Sequence, residues 1–153
     1  MRKMMVVLAA SIALLSAGCS TAYRSSDFSL TGGFSEIRLA PDSYRVLVEG
    51  NSFTMRGEVE QFLLRRCAEL TLEQGKRYFV LADHEAWIAI RRTKDGVVRS
   101  PRNEAVMTAM EEKTRDAFDA VTIIDETNEV ANGKLSARAK ATLATFTDSQ
   151  VGG

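Results

Sequence analysis

Tyr44-Arg45-Val46-Leu47-Val48-Glu49-Gly50-Asn51, then Thr54 to Gln74, Gly75 and Tyr78-Phe79-Val80-Leu81, form the stretch that decides the fold. Tyr44, Val46 and Val48 share one face and Arg45, Leu47 and Glu49 the other, the period-two pattern of a strand. Gly50-Asn51 ends it. Thr54 is placed to cap a helix over about 54–75, Glu58 lies near the positive end of its dipole, and Gly75 suits the left-handed residue that stops it. Met55, Val59, Phe62, Leu63, Cys67 and Leu70 fall on one stripe of that helix, a pattern that reads as core. Tyr78–Leu81 is a short apolar run and supplies a second strand. Strand, helix, strand predicts an α+β fold: a small two-layer sandwich with a short, mainly antiparallel sheet and the long helix packed on one face.

Towards the C-terminus, Trp87-Ile88-Ala89-Ile90 predicts another strand, extended by Val97-Val98 across the turn Lys94-Asp95-Gly96. Ser100-Pro101 reads as an N-cap and a helix-starting proline, leading into Met107, Met110, Thr114 and Phe118 at helical spacing. Val121 to Ile124 predicts a short strand, and Leu135, Ala139, Leu143 and Phe146 line one face of a last helix. Towards the N-terminus, Pro41-Asp42-Ser43 is a turn signal and the folded region begins near Phe34. The expected division is a single α+β domain over 34–146, clearest over 34–82, with a frayed tail over 147–153.

The first nineteen residues follow different rules. Arg2 and Lys3 precede an apolar run from Met4 to Leu15 broken only by Ser11, and Ser16-Ala17-Gly18 puts small residues before Cys19. That is the layout of a signal peptide over 1–18. The run is too short for a membrane-spanning helix, which needs roughly 20 apolar residues. Leu15-Ser16-Ala17-Gly18-Cys19 resembles the lipobox of bacterial lipoproteins, with Ser16 where the usual pattern has leucine and Leu15 one step further out. The resemblance implies cleavage between Gly18 and Cys19, and S-diacylglycerol and N-acyl (palmitate-type) modification of Cys19. A buried methylene contributes about 0.8 kcal/mol, so several acyl chains anchor durably where one would not. Ser20 follows the cysteine, and by analogy with enteric lipoprotein sorting it directs the protein to the periplasmic leaflet of the Gram-negative outer membrane. Residues 19–33 are rich in Ser, Thr and Gly and read as a lipidated, flexible tether, reaching roughly 20 Å root-mean-square as a coil.

Composition narrows the partners. The chain of 153 residues carries 20 Lys plus Arg against 20 Asp plus Glu. Without Arg2 and Lys3 it would keep 18 basic side chains against 20 acidic ones. This gives no overall positive field, so nucleic acid is not an expected partner. No phosphate loop, dinucleotide fingerprint or paired-cysteine metal motif occurs, so no cofactor, metal or small-molecule substrate is expected.

Gly33-Phe34-Ser35-Glu36, Leu39-Ala40-Pro41-Asp42, Tyr44-Arg45-Val46, Gly50-Asn51-Ser52-Phe53-Thr54 and Ala68-Glu69-Leu70-Thr71-Leu72-Glu73-Gln74-Gly75 resemble, in order and spacing, a family of small proteobacterial envelope lipoproteins first catalogued from Caulobacter. The resemblance covers Gly33 to Leu81 together with the lipobox. It implies an address and a fold but no activity. The chain departs from the family's pattern after Ala82.

Candidate chemistry is sparse. His84, the single histidine, lies between Asp83 and Glu85; on an extended segment the two carboxylates point to one face and the imidazole to the other, so the three do not converge on a metal ion, whereas on a turn they could form a weak site. Arg65 and Arg66 read as a solvated helix face, with a partner surface as the alternative. Cys67, which a lipidated Cys19 cannot pair with, reads as a small buried hydrophobe on the apolar stripe. The expected function is a lipid-anchored, non-catalytic binding or structural module for an unidentified envelope partner. The alternatives are an envelope stress-sensing or signalling lipoprotein that works through a changed contact or Cys67, and a periplasm-facing enzyme using His84 and Asp83.

Overall fold

The structure, a computed structural model, describes residues 32–131 and 135–151. The leader over 1–18, the cleavage site at Gly18, the lipidation site at Cys19, the tether as far as Thr31, and Gly152-Gly153 lie outside the described residues. Among the described residues the elements run β1 (Gly33–Ala40), β2 (Ser43–Glu49), α1 (Arg56–Glu73), β3 (Tyr78–Thr93), β4 (Gly96–Met110), β5 (Phe118–Asp119), α2 (Ala120–Glu126) and α3 (Ala137–Val151). The sheet has the order β1-β2-β4-β3-β5 and every neighbouring pair is antiparallel. This is the small α+β fold read from the sequence, with α1 packed on one sheet face.

The core follows from alternation. Tyr44, Val46 and Val48 of β2 are buried, as are Ala105, Met107 and Ala109 of β4 and Phe79 of β3, and all meet Val59, Phe62, Leu63, Cys67 and Leu70 of α1. Each fully buried side chain of this size contributes about 1.5–3 kcal/mol. The α1 stop is a Schellman turn: Gly75 has φ +76°, its N–H donates to the Leu72 carbonyl at 3.0 Å, and the Lys76 N–H donates to Thr71 at 3.1 Å.

Several expectations are corrected. The segment from Ser100-Pro101 to Met110 is not a helix but β4, in which Pro101, Asn103, Ala105, Met107 and Ala109 alternate inwards. A proline fits here because β2 ends beside it: Pro101 need only accept, and its carbonyl takes the Gly50 N–H at 2.8 Å. Thr114 lies in the following loop and Phe118 in β5. Tyr78–Leu81 and Trp87–Ile90 are parts of one strand, β3, bent by an irregularity between Ala82 and Glu85. Val121–Ile124 is helical, because the Asp119 carboxylate accepts the Val121 N–H at 3.0 Å and starts α2. Thr54 does not cap α1. Its hydroxyl accepts the Asn51 N–H and donates to the Asn51 side chain, closing the turn after β2, while the Met55 N–H donates to Glu58 at 2.8 Å. Met55, assigned to the apolar stripe, is 71% exposed. The last helix passes the expected domain end at 146 and continues to Val151.

Gly50 sits where β2, the 51–54 turn and β4 converge. A Cβ on it would stand 2.8 Å from the Thr54 Cβ and 2.9 Å from the Pro101 Cγ. Gly50→Ala is therefore expected to lower the unfolding free energy by about 1–3 kcal/mol, as overpacking does. Urea denaturation measures it, and an unchanged midpoint would show that the turn yields.

Candidate functional site

The polar residues with chemical potential are distributed over three places. The first is the flank of α1. Arg65 is not on a solvated face as expected: it is 1% exposed, because α2 packs over a second side of α1. Its Nε donates to Glu69 at 3.0 Å, and its Nη1 donates to the Ile124 carbonyl at 2.9 Å and to Asn128 at 3.2 Å. The guanidinium thus ties the helix to the carbonyl end of α2, where the dipole favours a cation. Arg66, only partly exposed, forks onto Glu36 of β1 at 2.7 and 3.2 Å, reaches Glu69 at 3.0 Å, and lies 4.8 Å from the Phe34 ring centre. Both arginines hold elements together.

The second place is Cys67, a buried free thiol. Burial among apolar groups pushes its pKa far above the ordinary thiol value, outweighing the nearby Arg66 charge. The thiolate is the reactive form, so the native thiol is inert. It is expected to react with a disulfide reagent at least about 100-fold more slowly in native protein than in denaturant. The same burial gives a pH dependence. The folded state keeps the proton that the unfolded state releases, so stability is intact below about pH 9 and falls above it. The slope from this group is about 1.4 kcal/mol per pH unit. Cys67→Val should remove that share of the alkaline loss, and an identical alkaline profile in the variant would contradict it.

The third place is the base of the long β3–β4 hairpin. Asp83 adopts φ +48°, a left-handed conformation that an aspartate tolerates, and this irregularity breaks the simple alternation expected around His84. The His84 Nε2 lies 2.7 Å from Oδ1 of Asn103, a buried residue on the inward row of β4. An amide oxygen accepts, so the imidazole carries its proton on Nε2 and fixes the strand bend. Among the described residues no three His, Cys, Asp or Glu side chains converge as a metal set would require.

Beside Asn103 a cavity of about 180 Å³ opens between α1 and the hairpin, lined by Arg56, Val59, Glu60, Trp87, Pro101 and Arg102 among others. Ligand pockets typically reach roughly 300–1,000 Å³, so this one suits a side chain rather than a cofactor. A wider groove of about 380 Å³ runs between α2 and α3, past Val121, Asp125 and Leu143. Beyond the cavity the hairpin leaves the body: β2 pairs with β4 only as far as Arg102, and β5 pairs with β3 only at Tyr78 and Phe79. Residues 89–100 therefore project as a two-stranded ribbon, with Ile90 63% and Val97 54% exposed. Sequence reasoning found Trp87–Ile90 and Val97-Val98 as strands but took Ser100-Pro101 for a helix start, and it did not show the ribbon, whose signal is a hairpin longer than its neighbours.

These contacts position and brace the elements. Among the described residues no helix is long and apolar enough to cross a membrane. No family model, curated protein or solved structure matches the chain.

Proposed function

We propose that this chain is a lipid-anchored cell-envelope protein, held by acyl groups on Cys19 in the periplasmic leaflet of a Gram-negative outer membrane, whose domain is a non-catalytic binding or structural module. The observation that carries the reading is Ala17-Gly18-Cys19 behind a positively charged start and an apolar run too short to span a bilayer. The resemblance of Gly33–Leu81 to small proteobacterial envelope lipoproteins supports the same address. The engagement of Arg65, Arg66, Cys67 and His84 in structural contacts supports a module that presents surface to an envelope partner. Growth with labelled palmitate tests the anchor. The wild-type chain is expected to take up label and fractionate with outer membranes, and Cys19→Ala to take up none and stay uncleaved. Label retained in the variant would overturn the assignment of Cys19.

A further inference from the structure

Along the outer side of β3 the described strands leave a long edge open. On the outer side of β3 no described strand pairs beyond Phe79. The direction of the backbone groups along that edge follows from two contacts. Pro101 turns its carbonyl towards Gly50 on the β2 side, so the pair Ile88·Pro101 makes no ladder bonds between β3 and β4. The N–H and C=O of Ile88 therefore point out of the sheet. By the two-residue period, so do those of Ala86 and Ile90.

The side chains along this edge are polarised. Asp83 and Glu85 stand at its start, Arg91 and Arg92 at its end, and Ala86-Trp87-Ile88-Ala89-Ile90 between them. Such a strand is complementary to itself when turned antiparallel. In the two-fold register centred on Ile88, the outward-pointing groups meet outward-pointing groups: Ile88 exchanges both hydrogen bonds with Ile88 of the second copy, and Ala86 pairs with Ile90. The same register places Glu85 opposite Arg91 and Trp87 opposite Ala89. Both are non-hydrogen-bonded pairs, in which side chains approach most closely, at a Cα separation of about 4.5 Å. The large indole thus lies over the smallest available neighbour, and each carboxylate meets a guanidinium. Shifting the centre to Trp87 or Ala89 keeps the backbone bonds but takes Glu85 away from Arg91.

We infer that this chain forms a symmetric dimer by antiparallel pairing of β3 edges across Ala86–Ile90, with Glu85 and Arg91 of each copy clamping the two ends. The irregularity at Asp83-His84 and the hairpin turn at Lys94-Asp95 set the length of the pairing, and a two-fold contact uses the same edge of both copies, so it closes on two rather than growing into a fibre. Exposed β-edges invite uncontrolled pairing, and charges with a bend at the end are how such an edge is restricted to one partner. The inference rests on the edge alone and does not depend on the lipid anchor.

Charge reversal with rescue tests it. The protein as recovered from expressing cells is sedimented in density-matched detergent over a concentration series. Wild type is expected to shift from monomer to dimer. Glu85→Arg and Arg91→Glu, both at exposed positions, each set two like-charge pairs against one another and are expected to weaken dimerisation by roughly tenfold or more. Glu85→Arg combined with Arg91→Glu is expected to restore it to within about threefold of wild type. Six residues apart on one strand, these side chains lie about 20 Å apart within a copy, so rescue reads a contact between copies. A wild type that stays monomeric throughout, including one whose edge takes up a strand of another protein instead, overturns the inference. So does a dimer indifferent to the single reversals, or one the double reversal fails to restore.

Discussion

Arg65→Met is expected to lower the unfolding free energy by about 3–5 kcal/mol, the cost of breaking a buried ion pair by removing one partner. Among the described residues Arg65 is the largest of the fully buried side chains, and its loss takes a partner from three groups. Glu69, 5% exposed, loses one of the two guanidinium groups that reach it at 3.0 Å. The Ile124 carbonyl at the end of α2 loses the donor that reached it at 2.9 Å, and Asn128 loses its contact as well. An unsatisfied buried polar group costs about 1–3 kcal/mol, so the estimate does not rest on the ion pair alone. Combining Arg65→Met with Glu69→Leu should recover only about half of the loss, because Glu69 also accepts from Arg66 at 3.0 Å and the α2 carbonyl stays unpaired. Chemical denaturation of the two variants measures both numbers. A loss below about 1 kcal/mol for Arg65→Met would mean that the flank of α1 is open to water.

The second large effect is expected at the other margin of the sheet. Phe79 has no exposed surface and stacks on Phe118 of β5, with ring centres 5.2 Å apart and planes inclined by 19°. Phe79→Ala should cost about 3–5 kcal/mol, the range for emptying a fully packed aromatic site. Phe118→Ala, from a ring 36% exposed, should cost distinctly less. The two residues hold the short strand whose next residue, Asp119, caps α2 and pairs with Arg77 at 2.9 Å. Amide exchange should therefore show α2 losing protection in Phe79→Ala along with β5. Protection in α2 that survives while β5 opens would show that α2 is held by α1 alone.

What could be read from the sequence was local, and what could not was tertiary. Residues 44–49 and the α1 stripe carry their own periodicity, and Gly75 its own stop, so β2, α1 and the turn between α1 and β3 were legible. Lys94-Asp95-Gly96 likewise announced the hairpin. The segment after Ser100 misled because proline after serine is a common helix start and Met107 and Met110 are three residues apart. The inward row of β4 includes Asn103 and two alanines, too little hydrophobicity to show a period of two. Val121-Thr122-Ile123-Ile124 favours a strand by intrinsic propensity, and a cap from Asp119 together with packing on α1 overrides it. β1 was hidden because Glu36 and Arg38 occupy its helix-side positions while Ile37 and Leu39 face solvent, an inverted pattern stabilised by Arg66 and by Arg38 over the Tyr44 ring.

The polar residues show the same division. An arginine in mid-helix reads as exposed unless a second layer covers it, and nothing near Arg65 in sequence announces α2, some sixty residues on. His84 finds its partner Asn103 across a hairpin, with a left-handed Asp83 between them and the alternation. The charge order along β3 was visible as residues, but its meaning depends on which edge the sheet leaves open. Topology, not composition, shows that.

The most direct test of the account is the intact mass of the protein extracted from membranes. The account predicts a chain beginning at Cys19, heavier than its amino acids by a diacylglyceryl group and an amide-linked acyl chain, and no such species from Cys19→Ala. An unmodified chain of any other start, recovered from the wild type, would contradict it.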